Sequence, residues 1–295
     1  MRSVSPKVKP SARHWESIML FNLNGQWLEQ ANATIPFDDG ALLFGDSLFE
    51  TLRARNREIL LTKDHLDRLE LSCRLLAFPW DRDRITTALN ELCDRLPDSS
   101  YRVRITLSRG RAHGLSPDPA ETGWFSISCR EYIDPSAEEQ SHGFDAVYAA
   151  NRRVNPLSHL PQLKRGSYVD CLYAARFAQQ HGAREALFQE PDGSVLEGAT
   201  SNMVVCRGGT LLTPPPGELV LAGVMLRQIR DTAHPLSLDF QETPINEECL
   251  LTADEVMICN SLIGILPLRS LSGRPLNQCG MATRIRTALQ ERGAW

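Results

Sequence analysis

The way the short apolar runs are joined constrains the fold more than any other feature. Asn24-Gly25 in "IMLFNLNGQWLEQ", Asp192-Gly193 in "EALFQEPDGSVLEG" and Gly208-Gly209 in "NMVVCRGGTLLTPP" each separate two extended runs. Two residues that tolerate positive φ send the chain straight back on itself, so such runs pair as antiparallel hairpins. "SLFETLRARNREILLT" repeats the form around "RNRE", and "SYRVRITLSRG" with "GWFSISCREYI" reads as another strand pair. Between them "TKDHLDRLELSCRLLAF" changes to helical spacing, placing Leu66, Leu69, Cys73 and Leu76 on one face with Thr62 or Asp64 as the expected cap. Further helices are expected over "DRITTALNELCDRL", from the Lys164 segment to His181-Gly182, after Gly223, and at the C-terminus. Hairpins with helices packed beside them predict an α+β fold rather than a regular βαβ succession.

With 295 residues and 42% hydrophobic content, the chain can build one large core or two medium ones. The polar, aperiodic "DPSAEEQSH" (134–142) is read as a linker between a small α+β domain (19–133) and a larger one (143–295). The basic start, "MRSVSPKVKPSARHWES", has no apolar core, so residues 1–18 are expected to be a flexible arm rather than a secretory signal. A net charge of -4 gives no electrostatic case for nucleic acid or an anionic membrane, and no apolar run reaches spanning length. The eight cysteines are scattered, with no C-x-x-C pair. They predict buried free thiols in a reducing cytoplasm, neither disulfides nor a metal site.

Lysine is scarce: it occurs only at Lys7, Lys9, Lys63 and Lys164, and arginine supplies the remaining positive charge. An arginine keeps its proton, whereas a lysine can lose it near neutral pH and attack a carbonyl as an amine. Lys164 is therefore a candidate nucleophile, or else an ordinary solvated lysine. Glu197, at a strand end before Gly198, would suit a protonated ring nitrogen, or else stands in water at a sheet edge. Gly223 before the helix at Val224 leaves backbone N–H groups for an anion, and Asn260-Ser261 after "EVMIC" offers a second contact. An ordinary helix start and strand end would look the same. "FGDSLFE" also resembles the Gly-Asp-Ser-Leu motif of a hydrolase, with Ser47 as nucleophile and "DTAH" (Asp231 to His234) as its D-x-x-H pair. The surroundings do not suit that family. "PFDDGALL" precedes the motif in place of an apolar strand, and no G-x-N-D block supplies an oxyanion hole.

Taken in order, "FGDSLFET", "HLDRL", the lysine, "LEGATSN", "LLTPP…GVMLRQI" and "ADEVMICNS" resemble the class IV, fold-type IV pyridoxal-phosphate enzymes. These include branched-chain and D-amino-acid aminotransferases and aminodeoxychorismate lyase. The resemblance runs from about Leu20 to the C-terminus, and "GDSLFET" stands where the family usually has "GDGVFET". It implies a two-domain dimer with pyridoxal 5'-phosphate between the domains and a small-molecule amine as substrate. Lys164 would carry the cofactor on its amine and then shuttle a proton. Arg68 would bind the phosphate as a fork of donors, and Glu197 would pair with the ring nitrogen. The backbone of Val224 and Met225, with Asn260 and Ser261 nearby, would meet the phosphate. "GVMLRQI" and "ADEVMICNSLIGILPL" resemble the lyase forms, which implies 4-amino-4-deoxychorismate lyase, releasing pyruvate and 4-aminobenzoate for folate synthesis. "LEGATSN" stands closer to the aminotransferases, and Ser167 and Tyr168 occupy the place where many members have asparagine, so an aminotransferase for D- or branched-chain amino acids is the alternative.

Overall fold

The computed structural model describes residues 19–117, 122–152, 163–216 and 220–295, so the expected N-terminal arm and most of the loop before Lys164 lie outside the described residues. Strands Met19–Leu23, Gln26–Leu28, Ser47–Arg55, Glu58–Ile59, Ser100–Ser108 and Trp124–Glu131 form a six-stranded antiparallel sheet. Asn24 and Gly25 make its first turn with φ of 50° and 83°. Asn56 and Arg57 make the same reversal without glycine, at 51° and 63°. The Ser100–Ser108 strand alternates strictly. Tyr101, Val103, Ile105 and Leu107 enter a core with Leu66, Leu69 and Cys73 of helix Thr62–Leu76 and with Ile85, Leu89 and Leu92 of helix Arg82–Arg95. The pleat therefore puts Arg102 and Arg104 on the opposite face.

Neither Thr62 nor Asp64 caps the first long helix. The position before it is Leu61, in the left-handed region at φ 54°, while the Thr62 hydroxyl donates to the carbonyl of Ile59 at 2.8 Å. Segment 134–142 contains a helix, Ala137–His142, opened by a reciprocal Ser136–Glu139 capping box. Six residues are too few to display a helical period, but the S-x-x-E spacing was there to read.

The second sheet has ten strands and is mixed. Phe144–Tyr148 pairs in parallel with Glu185–Gln189, which it reaches through helix Val169–Gln180, and in parallel with Gly264–Leu271. The hairpins Glu185–Gln189/Ser194–Gly198 and Asn202–Arg207/Thr210–Thr213 are antiparallel. Helices Val224–Ala233 and Met281–Glu291 pack Met225, Ile229, Ile285 and Leu289 onto one face of this sheet. Arg53 ties the two sheets together from inside. It pairs with Asp134 at 2.8 Å, donates to the carbonyl of Leu262 at 3.1 Å and stacks 4.4 Å from the Trp295 ring. All eight cysteines are free, five of them buried.

Candidate active site

Lys164 does not open a helix, as its sequence context suggested. It lies ahead of Val169–Gln180 in an extended stretch held against the Ser47–Arg55 strand. Phe49 N donates to the carbonyl of Lys164 at 2.9 Å, and Gly166 N donates to that of Ser47 at 2.8 Å. A Cβ on Gly166 would lie 1.9 Å from Ser47 Oγ, so a side chain there would require the Ser47 hydroxyl to move. That contact also removes the hydrolase reading: Ser47 is buried against Gly166, while Asp231 and His234 lie at the far end of the Val224–Ala233 helix.

Between the two sheets lies a cavity of about 520 Å³, and all seven residues singled out from the sequence line it: Arg68, Lys164, Glu197, Val224, Met225, Asn260 and Ser261. Burial pushes the Lys164 amine down to about 8; Arg68 acts in the same direction, and the carboxylates of Glu50 and Glu197 oppose it. At pH 7 roughly one amine in ten is then uncharged, against about one in 3,000 for an ordinary lysine. The amine sits 4.8 Å from the centroid of the Phe49 ring.

Arg68 offers less of a fork than expected. Its Nε and Nη2 donate to Glu50 at 2.7 and 2.6 Å, and its Nη1 donates to the carbonyl of Ala222 at 2.9 Å. One N–H on each terminal nitrogen is left for an anion. Burial by itself would raise the Glu50 carboxyl, but Arg68 and His65 hold it well below the usual carboxylate range. His65 Nδ1 lies 2.7 Å from Glu50, and its Nε2 lies 3.0 Å from the Ser261 hydroxyl. Neither Glu50 nor His65 was singled out beforehand, although each sits inside a quoted motif, "FET" and "HLDRL".

Glu197 is 4% exposed and accepts from Asn202 Nδ2 at 3.2 Å and from Leu221 N at 3.1 Å. Asn202 in turn presses on Gly223, where a Cβ would lie 1.9 Å from its Oδ1. Gly223 precedes Val224–Ala233 with no side-chain cap, which leaves the first N–H groups of that helix without a side-chain acceptor. Asn260 spends its Oδ1 on the N–H groups of Leu262 and Ile263, at 2.9 and 3.0 Å, and so shapes the turn that presents Ser261. Arg102 and Arg104 also line the cavity. Burial lowers both, Arg104 to about 10, and among the described residues neither has a carboxylate partner. Arg104 lies 3.8 Å over the Phe49 ring.

The pattern of the family described as amino-transferase class IV matches residues 47–271. The chain belongs to this family. A putative branched-chain-amino-acid aminotransferase of Methanocaldococcus jannaschii is 29% identical over 90% of this chain and 93% of its own. The solved 4-amino-4-deoxychorismate lyase from Pseudomonas aeruginosa has a TM-score of 0.82 at 27% identity, covering 94% of this chain and all of its own. The Escherichia coli branched-chain amino acid aminotransferase shares the fold, with a TM-score of 0.86 at 24% identity over 92% and 93% of the two chains. Membership of class IV makes pyridoxal phosphate the cofactor. The residues present fit it: a partly uncharged buried amine, an arginine edge and an uncapped helix start for a phosphate, and a buried carboxylate for a cationic ring nitrogen.

Proposed function

We propose that this class IV enzyme is an aminotransferase with at least one dicarboxylic partner, an amino acid or its keto acid. The observation that carries the reading is the pair of half-buried arginines, Arg102 and Arg104, which line the cavity that holds Lys164 and have no carboxylate partner among the described residues. Two partly desolvated cations on one strand repel each other, so this wall suits a substrate carboxylate rather than an apolar side chain alone. The aminotransferase relative supports amino-group transfer.

When bound, the cofactor supplies an aldehyde for an amine and a ring that accepts electron density. The residues of the chain do the rest. Lys164, with its amine free, would take the proton from the substrate's amine-bearing carbon and deliver it to the carbon that had been the cofactor's aldehyde. Glu197 keeps a positive charge on the ring nitrogen. The free edge of Arg68, the backbone of Val224 and Met225, and Ser261 in the turn set by Asn260 hold the phosphate.

A second reading is 4-amino-4-deoxychorismate lyase, favoured by the lyase relative that this chain covers from end to end. Its substrate also bears two carboxylates. The lyase-like phrases "GVMLRQI" and "ICNSL" lie at the end of the cavity assigned to the phosphate, so they say little about the substrate. The two readings differ in what becomes of the cofactor. With L-glutamate alone, an aminotransferase should release one 2-oxoglutarate per site and leave the cofactor as pyridoxamine phosphate until a keto acid is added. With aminodeoxychorismate alone, a lyase should release pyruvate over many turnovers. Pyruvate over many turnovers together with no response to glutamate would replace the first reading by the second.

We also propose a cytoplasmic homodimer. Apolar side chains at Leu42, Leu43 and Phe44, and at Val169, Leu172 and Tyr173, are about half exposed or more, and Gly45 packs on Ser167 between the two groups. Such a patch needs covering. Light scattering at twice the chain's mass is expected, and a monomer would contradict this assignment.

A further inference from the structure

We infer that binding of the cofactor's phosphate beside Ser261 is coupled to protonation of His65, which thereby frees the Ser261 hydroxyl to donate to the anion. The inference rests on the reading of Arg68 and Ser261 as phosphate contacts and follows from counting hydrogens around one imidazole. Glu50 is an ionised carboxylate with Arg68 donating to both its oxygens, so it has no hydrogen to offer. The 2.7 Å contact to His65 must therefore be Nδ1–H donating to Glu50. In a neutral imidazole this leaves Nε2 bare. At 3.0 Å from Nε2, the Ser261 hydroxyl must then spend its only hydrogen on the ring. In that state Ser261 turns lone pairs toward the cavity and repels a phosphate oxygen.

Adding a proton reverses the bond. Nε2–H donates to Ser261 Oγ, and the hydroxyl hydrogen is free to face the cavity. Every charged group around the ring enters this balance. Burial disfavours the imidazolium, Glu50 favours it, and Arg68 and Lys164 oppose it, so without a further anion His65 is lowered from its usual range. A phosphate next to Ser261 and Arg68 adds negative charge at a second side of the ring and supplies an acceptor for the released hydroxyl. Its binding therefore raises the affinity of His65 for a proton. The linkage has a defined sign. Phosphate affinity is constant below the free-state pKa of His65, falls by up to about tenfold per pH unit as pH rises to the bound-state value, and is flat above it.

Pyridoxal provides the control, because it reacts with the same lysine but has no phosphate. The full chain, labelled with ¹⁵N-histidine and stripped of cofactor, would be saturated with pyridoxal phosphate or with pyridoxal at pH 7.5. The His65 signals are assigned by their loss in His65→Gln, or by their shift in Ser261→Ala if the first variant does not fold. With pyridoxal phosphate both ring nitrogens of His65 should carry protons; with pyridoxal only Nδ1 should. Ser261→Ala should weaken pyridoxal phosphate about tenfold or more, by loss of a charge-assisted hydrogen bond, and leave pyridoxal unaffected. The same protonation of His65 with both ligands, while Ser261→Ala still weakens the phosphorylated one, would overturn the coupling and spare the phosphate assignment. No effect of Ser261→Ala on pyridoxal phosphate would overturn that assignment, and the coupling with it.

Discussion

The 63–68 turn of helix carries a second lysine, Lys63, but its side chain is 82% exposed and pairs with Asp67 at 2.7 Å, outside the cavity. Lys164 differs by burial, and its behaviour should follow from that. The rate at which cofactor-free protein takes up pyridoxal phosphate should rise about tenfold per pH unit and level off near pH 8, where the Lys164 amine becomes neutral. Stopped-flow absorbance would show it; a rise continuing to pH 10 would mean an ordinary lysine. Borohydride should then fix the cofactor on Lys164, and peptide mapping to Lys63 would refute the assignment. The same burial carries a stability cost. The folded pKa lies below the unfolded one, so below pH 8 the cost is present in full, and it is relieved as pH rises from about 8 to 10.5. Lys164→Met should therefore stabilise the cofactor-free protein at pH 7 by roughly 1–2 kcal/mol in urea titration. Arg68→Ala removes a donor edge and leaves Glu50 buried without its main partner. It should weaken cofactor retention by roughly 1.5–3 kcal/mol and also lower stability. Glu197→Gln should keep the cofactor bound yet slow turnover, since an amide does not hold a ring nitrogen protonated. Loss of cofactor with normal turnover on reconstitution would contradict that role.

At the scale of elements, the site depends on two glycines that let backbones approach side chains. Gly166 meets Ser47 Oγ, and Gly223 meets Asn202 Oδ1, each at 1.9 Å from where a Cβ would be. Gly166→Ala should push the Lys164 stretch off the Ser47–Arg55 strand and cost on the order of 1–3 kcal/mol, with loss of cofactor binding. Ser47→Gly should restore much of both, because it vacates the space the new methyl needs. A double-mutant cycle measures this, and purely additive effects would show that the contact does not position the lysine. The hairpins were legible because residues such as Asn24-Gly25 carry their turn chemistry locally. The "RNRE" reversal was legible as well, with Asn56 a residue that tolerates positive φ, but the left-handed Leu61 was not, because a leucine takes positive φ only when neighbouring elements hold it there. The parallel pairing of Phe144–Tyr148 with Gly264–Leu271 was hidden for a related reason: no local signal links segments more than a hundred residues apart.

Over the whole molecule, Arg53 is one of the side chains that join the first sheet to the other half of the chain, with Arg68 and His65. Arg53→Leu should lower the denaturation midpoint by an amount equivalent to about 1–3 kcal/mol and tend to separate the unfolding of the two halves, followed by fluorescence and circular dichroism together. Coincident, unshifted transitions would mean that Arg53 does not couple the sheets. The sequence by itself determined the α+β class, the hairpins, the scarcity of amines and the seven residues around one cavity. Each of these depends on local chemistry or on the order of motifs along the chain. Only the tertiary structure decided the rest. Glu50 occupies half of the Arg68 fork, His65 stands between Glu50 and Ser261, and Arg102 and Arg104 line the cavity with no carboxylate partner among the described residues. Protonation and hydrogen-bond direction depend on which groups burial brings within about 3 Å of one another, and groups as far apart in sequence as His65 and Ser261 meet only when the sheets close around the site.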